Sequence, residues 1–187
     1  MRFWWIRYGP IFAAQIRKKR SANLRTWPHW RCHLDEVFVK INGQTHDLWL
    51  AVDHEGEVFE VFVTKRRDRA AALKFLKPTL KRHGRPKTIV TDRLRSYRAA
   101  LKIFGKVTSQ ECGCRFDNRA ENSHLPIRRR ERKQQGFKSA GSAQRFLSVH
   151  AATHNTFYHQ RHLSNRANYK QLRAGSFDAW AIASAAA

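Results

Sequence analysis

The stretch RCHLDEVFVKINGQTHDLWLAVDHEGEVFEVFVTK, residues 31–65, decides the fold. Its three apolar runs alternate with polar positions, the pattern of half-buried strands. Asn42-Gly43 separates the first two runs and accepts positive φ at both turn positions, and His54-Glu55-Gly56 separates the last two. The segment reads as an antiparallel meander of three strands. One residue inside it breaks the pattern. Asp35 shares a side of its strand with Val37, Val39 and Ile41, where a carboxylate without a partner is costly to bury. Glu36, Asp47 and Asp53 read as solvated strand or turn positions.

Downstream of this meander the periodicity turns helical. Asp68 is placed to cap a helix running to about His83, with Leu73, Leu76 and Leu80 at helical spacing and Gly84 past its end. Pro78 lies inside it. KTIVTD (87–92) reads as a buried fourth strand ending at Asp92, and RLRSYRAALKIFG (93–105) puts Leu94, Tyr97, Leu101 and Phe104 on one helical face. KVTSQ (106–110) is the candidate fifth strand. From Asn118 the pattern is helical again, and Asn118 with Glu121 suits a capping box. Pro126 either kinks that helix or moves its start to Ser123. At the front, residues 1–24 hold at most one helix, broken near Gly9-Pro10. The resulting order, β-β-β-α-β-α-β-α, is that of an α/β RNase H-like domain, a mixed five-stranded sheet flanked by helices.

Composition narrows the function. The 187 residues include 37 Lys and Arg against 14 Asp and Glu, a formal net charge of +23, which attracts polyanions and makes nucleic acid the leading partner. A purely disordered basic chain is excluded by 42% hydrophobic and 12% aromatic content. Cys32, Cys112 and Cys114 form no evenly spaced framework and fit free thiols in a reducing compartment. No apolar run is long enough to span a membrane.

Against this charge the acids stand out. Asp35 lies in the first strand, Asp92 at the carboxyl end of the fourth, and Glu121 at the head of the helix after the fifth. If the first and fourth strands are neighbours, the three can converge as oxygen ligands for hard cations such as Mg²⁺ or Mn²⁺. Two ions about 4 Å apart can drive an in-line phosphoryl displacement. Taken singly, Asp92 and Glu121 are better read as helix caps than as metal ligands.

The words WRCHLDEVFVKING, LWLAVDHEGEVFEVFV, RRDRAAALKFLKPTLKRHG, VTDRLRSYRAALK, DNRAENSH and RRRERKQQGFKSAGSAQRFLSVHAATHNTFYHQRHL occur in that order across about residues 27–163. They resemble bacterial insertion-sequence transposases of the DDE type, and within that group insertion-sequence family six. The resemblance implies metal-dependent DNA cleavage and strand transfer, with Asp35, Asp92 and Glu121 as catalytic and metal-binding residues on two Mg²⁺ or Mn²⁺ ions. It implies that Asp35 bridges both ions while Asp92 and Glu121 each hold one. It also implies duplex DNA partners (transposon ends and target), a homodimer on DNA, a place in the bacterial cytoplasm at the nucleoid, and Arg128 on a transposon-end phosphate. Asp117-Asn118 and Asp92-Arg93 are mild departures from the family's NNRAE and TDK. Family members carry a helix-turn-helix region ahead of the catalytic domain, so the chain is expected to be N-terminally truncated. The expected division is a basic helical connecting remnant over 1–26, the RNase H-like DDE domain over 27–160 and a C-terminal tail over 161–187. The alternative is an inactive remnant that only binds DNA.

Around the acids, Arg128, Arg129, Arg130, Arg132, Lys133 and Lys138 are candidate phosphate contacts, which position DNA without reading its sequence. His150 and His154, four apart, could share a zinc ion, but no third ligand is evident and a packing or DNA-facing role fits better. Trp4, Trp5, Trp27 and Trp30 could stack on bases or staple the first segment to the core, and core packing is the simpler reading. FDAWAIASAAA at the end reads as a short terminal helix.

Overall fold

Asn42 and Gly43 take φ of 49° and 78° in the computed structural model, and the turn they form joins β1 (Arg31–Ile41) to β2 (Gln44–Asp53). These strands pair antiparallel from Ile41–Gln44 to Cys32–Asp53. The structure describes residues 2–26, 30–92, 95–105, 110–112, 118–133, 135–159 and 164–185; within them the side chains of 2–4, 6, 23–25, 95 and 118–124 are not described. β3 (Val58–Thr64) completes the meander after a shift of register between Ala51 and Val52. α2 (Arg69–His83) begins as expected, with the Asp68 carboxylate accepting the Ala71 N–H at 2.8 Å. It runs through Pro78 and stops at Gly84, whose φ is 83°.

β4 (Thr88–Thr91) lies parallel to β1, and α3 (Arg95–Ile103) buries Tyr97 and Leu101 completely. β5 is Gln110–Cys112, parallel to β4 and sharing Gln110 with the expected KVTSQ; residues 106–109 lie outside the described residues, as does Leu94. The five strands stand in the order β3-β2-β1-β4-β5. α4 (Asn118–Lys133), α5 (Ala140–Phe157) and α6 (Arg166–Ala185) follow. α4 begins at Asn118 and passes through Pro126, so the later start at Ser123 is corrected.

Alternation along β1 separates two cores. Cys32 and Leu34 face one side of the sheet, with Trp49, Phe59, Phe75, Leu76 and the buried side chains of α3. Val39 and Ile41 face the other, with Leu48, Leu50, Ile127 of α4 and Leu147 of α5. Each core side chain withdrawn from water contributes about 1.5–3 kcal/mol, which is why register along β1 is firmly specified.

The front of the chain differs from expectation. α1 (Arg2–Thr26) is one helix through Gly9 and Pro10. Neither residue favours a helix interior, but a Cβ on Gly9 would meet the Val149 methyl carbons at 3.1 and 3.2 Å. The missing side chain lets α1 cross α5 closely there, and Phe12, Ala13, Val149, Ala152 and Ala183 form a third core around the crossing. α6 is 20 residues long, so the terminal helix begins well before FDAWAIASAAA. Among the described residues no helix is long and apolar enough to cross a membrane.

Candidate active site

Asp35 sits in a central strand between β2 and β4, opposite Leu50. Its side of β1 is that of Val39 and Ile41, where α4 and α5 pack. The residue is buried at 8% exposure, and its Oδ1 accepts the N–H of Glu36 at 2.7 Å. β4 pairs with β1 in parallel register as far as Leu34–Thr91. Asp92 is the next residue, so the chain leaves β4 with Asp92 abreast of Asp35. The two aspartates thus come from β1 and from the residue that follows its neighbour β4, although they are remote in sequence.

Glu121 lies in the first turn of α4 by its backbone; its side chain, and the suggested Asn118–Glu121 capping box, lie outside the described residues. α4 is held on β1 by the buried Ile127 and by Glu131, whose Oε1 accepts the Lys40 N–H at 2.9 Å.

Three acids read as solvated are buried. Glu36 has a side chain 3% exposed, Asp47 is 6% exposed and Asp53 is 0% exposed. For Glu36 the reason is position, since adjacent acids on a central strand must face opposite sides of the sheet and both sides are covered; Asp47 and Asp53 lie on β2, between β3 and β1. Arg67, from the segment between β3 and α2, donates to Glu36 and lies 3.4 Å from Asp92 Oδ2. Its guanidinium also lies 5.8 Å from the Phe38 ring centroid. Arg67 is therefore the residue at this site that sequence reading missed. No local pattern marks it, because its partners lie on other strands. Burial raises the Asp47 carboxyl above its ordinary range, against the pull of His46.

Asp53 belongs to a different cluster, with Glu55 and Glu57. Among the described residues, which leave out the Glu121 side chain, this is the one group of three close acids. Arg20 of α1 enters it, donating to Asp53, lying 2.7 Å from Glu55 and 3.2 Å from Glu57. Burial pushes the Glu57 carboxyl up to about 7 despite Arg20. The guanidinium makes the cluster a clasp between α1 and the β2–β3 turn.

The expected phosphate contacts are all exposed but divide into two groups. Ile127 and Glu131 form the buried seam of α4, so Arg128 and Arg132 fall on one flank and Arg130 and Lys133 on the other. Arg128 lies 3.8 Å from Glu131 on its flank. Arg130, Lys133 and Lys138 line a groove of about 2030 Å³ against α1, α5 and α6. Arg129 points away from the seam, between the flanks. His150 and His154 stack on each other at 5.9 Å, and burial pushes the His150 imidazole down to about 4, with His154 and Arg130 adding to the effect. Trp30 is core, 3% exposed, whereas Trp5 remains 37% exposed; Trp27, Cys114 and the Trp4 side chain lie outside the described residues. Cys32 is buried, which raises its thiol pKa, and Cys112 is exposed.

A family model described as a DDE domain, of the IS240 type, matches residues 29–160. The transposase for insertion sequence-like element IS431mec of Staphylococcus aureus is 30% identical over 142 residues, covering 73% of this chain and 61% of its own length. The transposase for insertion sequence element IS257 in transposon Tn4003, also from Staphylococcus aureus, matches to the same extent. The chain thus spans 61% of the length of these curated relatives. Among solved structures, a simian T-cell lymphotropic virus intasome in complex with PP2A regulatory subunit B56 gamma superposes with a TM-score of 0.55 at 15% identity, over 74% of this chain and 56% of that one. The HTLV-2 integrase catalytic core domain in complex with magnesium, in its trimeric form, gives 0.51 at 13% identity, over 78% of this chain and 97% of that one. These likenesses concern the fold, which is RNase H-like.

Proposed function

As the chain belongs to the DDE transposases of insertion-sequence family six, with residues 29–160 as its DDE domain, we propose that it carries the catalytic core for DNA cleavage and strand transfer by an insertion sequence. The observation that supports this most is the parallel β1–β4 register, which leaves Asp92 abreast of Asp35. Asp35 is an oxygen donor on β1, against which the helix that carries Glu121 packs, and Asp92 is one at the residue that follows β4; such a set suits Mg²⁺ or Mn²⁺. The HTLV-2 integrase core was solved with magnesium, in keeping with that choice. Asp35, Asp92 and Glu121 would hold two ions, which when bound supply Lewis-acid activation of water or a 3′-hydroxyl and stabilise the leaving oxygen.

The protein's own part is positioning. The Glu36 amide orients the Asp35 carboxylate, and Arg67 offsets the charge of Glu36 and Asp92, which would otherwise repel. Arg128, Arg129 and Arg132 on α4 would take phosphates of duplex DNA at an element end or target, and a homodimer at the nucleoid is the form in which it would work. Residues 1–26 and 161–187 would serve as connecting and terminal segments around this domain.

Nicking of supercoiled plasmid tests the reading, with Mg²⁺ and with EDTA. Asp35→Asn, Asp92→Asn and Glu121→Gln should each cut the metal-dependent rate to about one hundredth or less while duplex binding persists. Parent-like nicking by Asp35→Asn, or nicking indifferent to EDTA, would remove these acids from the reaction.

A further inference from the structure

The groove on the far side of α5 is built unlike the carboxylate site. Phe146, His150, His154 and Tyr158 recur every fourth residue, so α5 and its C-cap carry them in one column. Their successive ring centroids are 5.7, 5.9 and 4.5 Å apart, and the last two pairs lie within 18° of parallel. The column ends at Tyr158, which is 63% exposed. Trp5 of α1 stands 6.0 Å from Phe146, and Trp180 of α6 stands 5.5 Å from Phe157. Trp5, Phe157 and Trp180 are each 37% exposed and line the same groove as Tyr158. These are four of the six large exposed aromatic side chains described, which is clustering and not scatter.

The rim is basic. Arg130 and Lys133 come from the end of α4, Lys138 from the following turn and Arg145 from α5, and among the described residues that line the groove none is acidic. The occupant must therefore be anionic and also offer flat apolar faces. A second copy of this chain, at a net +23, meets the rim with the wrong charge. Paired bases in a duplex hide their faces inside the stack, whereas unpaired bases stack freely on aromatic side chains.

We propose that this groove binds single-stranded DNA, with bases stacked on Tyr158 and its neighbouring rings and phosphates on Arg130, Lys133, Lys138 and Arg145. The choice of DNA rests on the transposase reading; the single-strand preference rests on the groove alone. A strand end freed by cleavage can unpair from its complement, and this surface would hold its bases away from the carboxylates.

The test is fluorescence anisotropy with a labelled 12-mer of deoxythymidine, a hairpin duplex and a uridine 12-mer, at about 150 mM salt. Tyr158→Ala should weaken single-strand binding by about tenfold or more, Tyr158→Phe should retain it, and Arg145→Ala should weaken it and flatten its salt dependence. Duplex binding should hardly change with Tyr158→Ala. Thermal melts confirm that each variant is folded, and Tyr158 is exposed enough for its truncation to be tolerated. Single-strand affinity indifferent to Tyr158→Ala, an equal loss on duplex, tighter binding of the uridine strand, or a dimer in gel filtration that Tyr158→Ala dissociates would each overturn the proposal. Asp35→Asn should bind the single strand like the parent. Failure of nicking with intact groove binding would sink only the transposase reading, and the reverse result would sink only this one.

Discussion

Replacing Arg20 by Met asks whether α1 is bonded into the domain by charge. The Asp53 side chain is 0% exposed, Arg20 is 21% exposed, and the guanidinium reaches all three acids of the β2–β3 turn. Asp53 Oδ1 keeps the N–H groups of Glu55 and Glu57, at 2.8 and 3.1 Å, but in the variant its charge loses this buried guanidinium. Breaking a buried pair from one side costs about 3–5 kcal/mol. The partial exposure of Arg20 and Glu55 puts the expected loss near the lower end, about 3 kcal/mol. For a chain of this size that is a fall in melting temperature of about 6–12 °C. Arg20→Met with Asp53→Asn should recover about half or more, since an amide oxygen still accepts both N–H bonds without the charge.

The pH dependence carries its own sign. Burial already raises Glu57 to about 7 against Arg20, and without Arg20 it rises further. A carboxyl whose folded pKa lies above its unfolded value contributes stability at low pH that is lost as pH climbs through the folded value. The Arg20→Met deficit should therefore be smaller at pH 5 than at pH 8. Urea unfolding followed by circular dichroism at both values measures it. A loss under about 1 kcal/mol at pH 8, a deficit that grows on acidification, or no recovery in the double variant would refute the clasp.

Two further predictions concern the α1–α5 packing and α5 itself. Gly9→Leu forces a side chain into Val149, where a Cβ alone comes within 3.1 Å; overpacking should outweigh the gain in helix propensity and cost about 1–2 kcal/mol in urea unfolding, relieved by Val149→Ala, and a stabilised Gly9→Leu would contradict the close crossing. His150, pushed down to about 4 chiefly by burial, stays neutral in the fold while the unfolded chain protonates below about 6.5, so its stability is present above that value and lost as pH falls. Between pH 7 and 5 the parent should lose about 2 kcal/mol more than His150→Phe. Glu57 has the opposite sign in an overlapping window and is common to both proteins, so equal losses would show that the imidazole is not desolvated.

Much was legible because local chemistry dictated it. Asn42-Gly43 can hardly do other than turn, Asp68 and Gly84 bracket α2 as cap and stop, and alternation from Arg31 to Thr64 permits only strands with a buried side. From those elements and their order the RNase H-like sheet followed, as did the neighbouring placement of the Asp35 and Asp92 strands, and the sequence words alone identified the family.

What stayed hidden depends on residues distant in the chain. Gly9-Pro10 looks like a break in isolation, and only the close approach of Val149 turns the absent Cβ into an advantage. Glu36 and Asp53 look solvated by hydropathy, yet Arg67 and Arg20, from elements with no local link to them, make their burial tolerable. The run IRRRERK reads as one basic strip, whereas the seam of Ile127 and Glu131 on the sheet divides it into two flanks facing different surfaces. Sequence sets what each segment prefers; which charges meet, and which faces remain open, is decided only when the helices close on the sheet, because a buried charge is stable only beside the partner that tertiary packing brings to it.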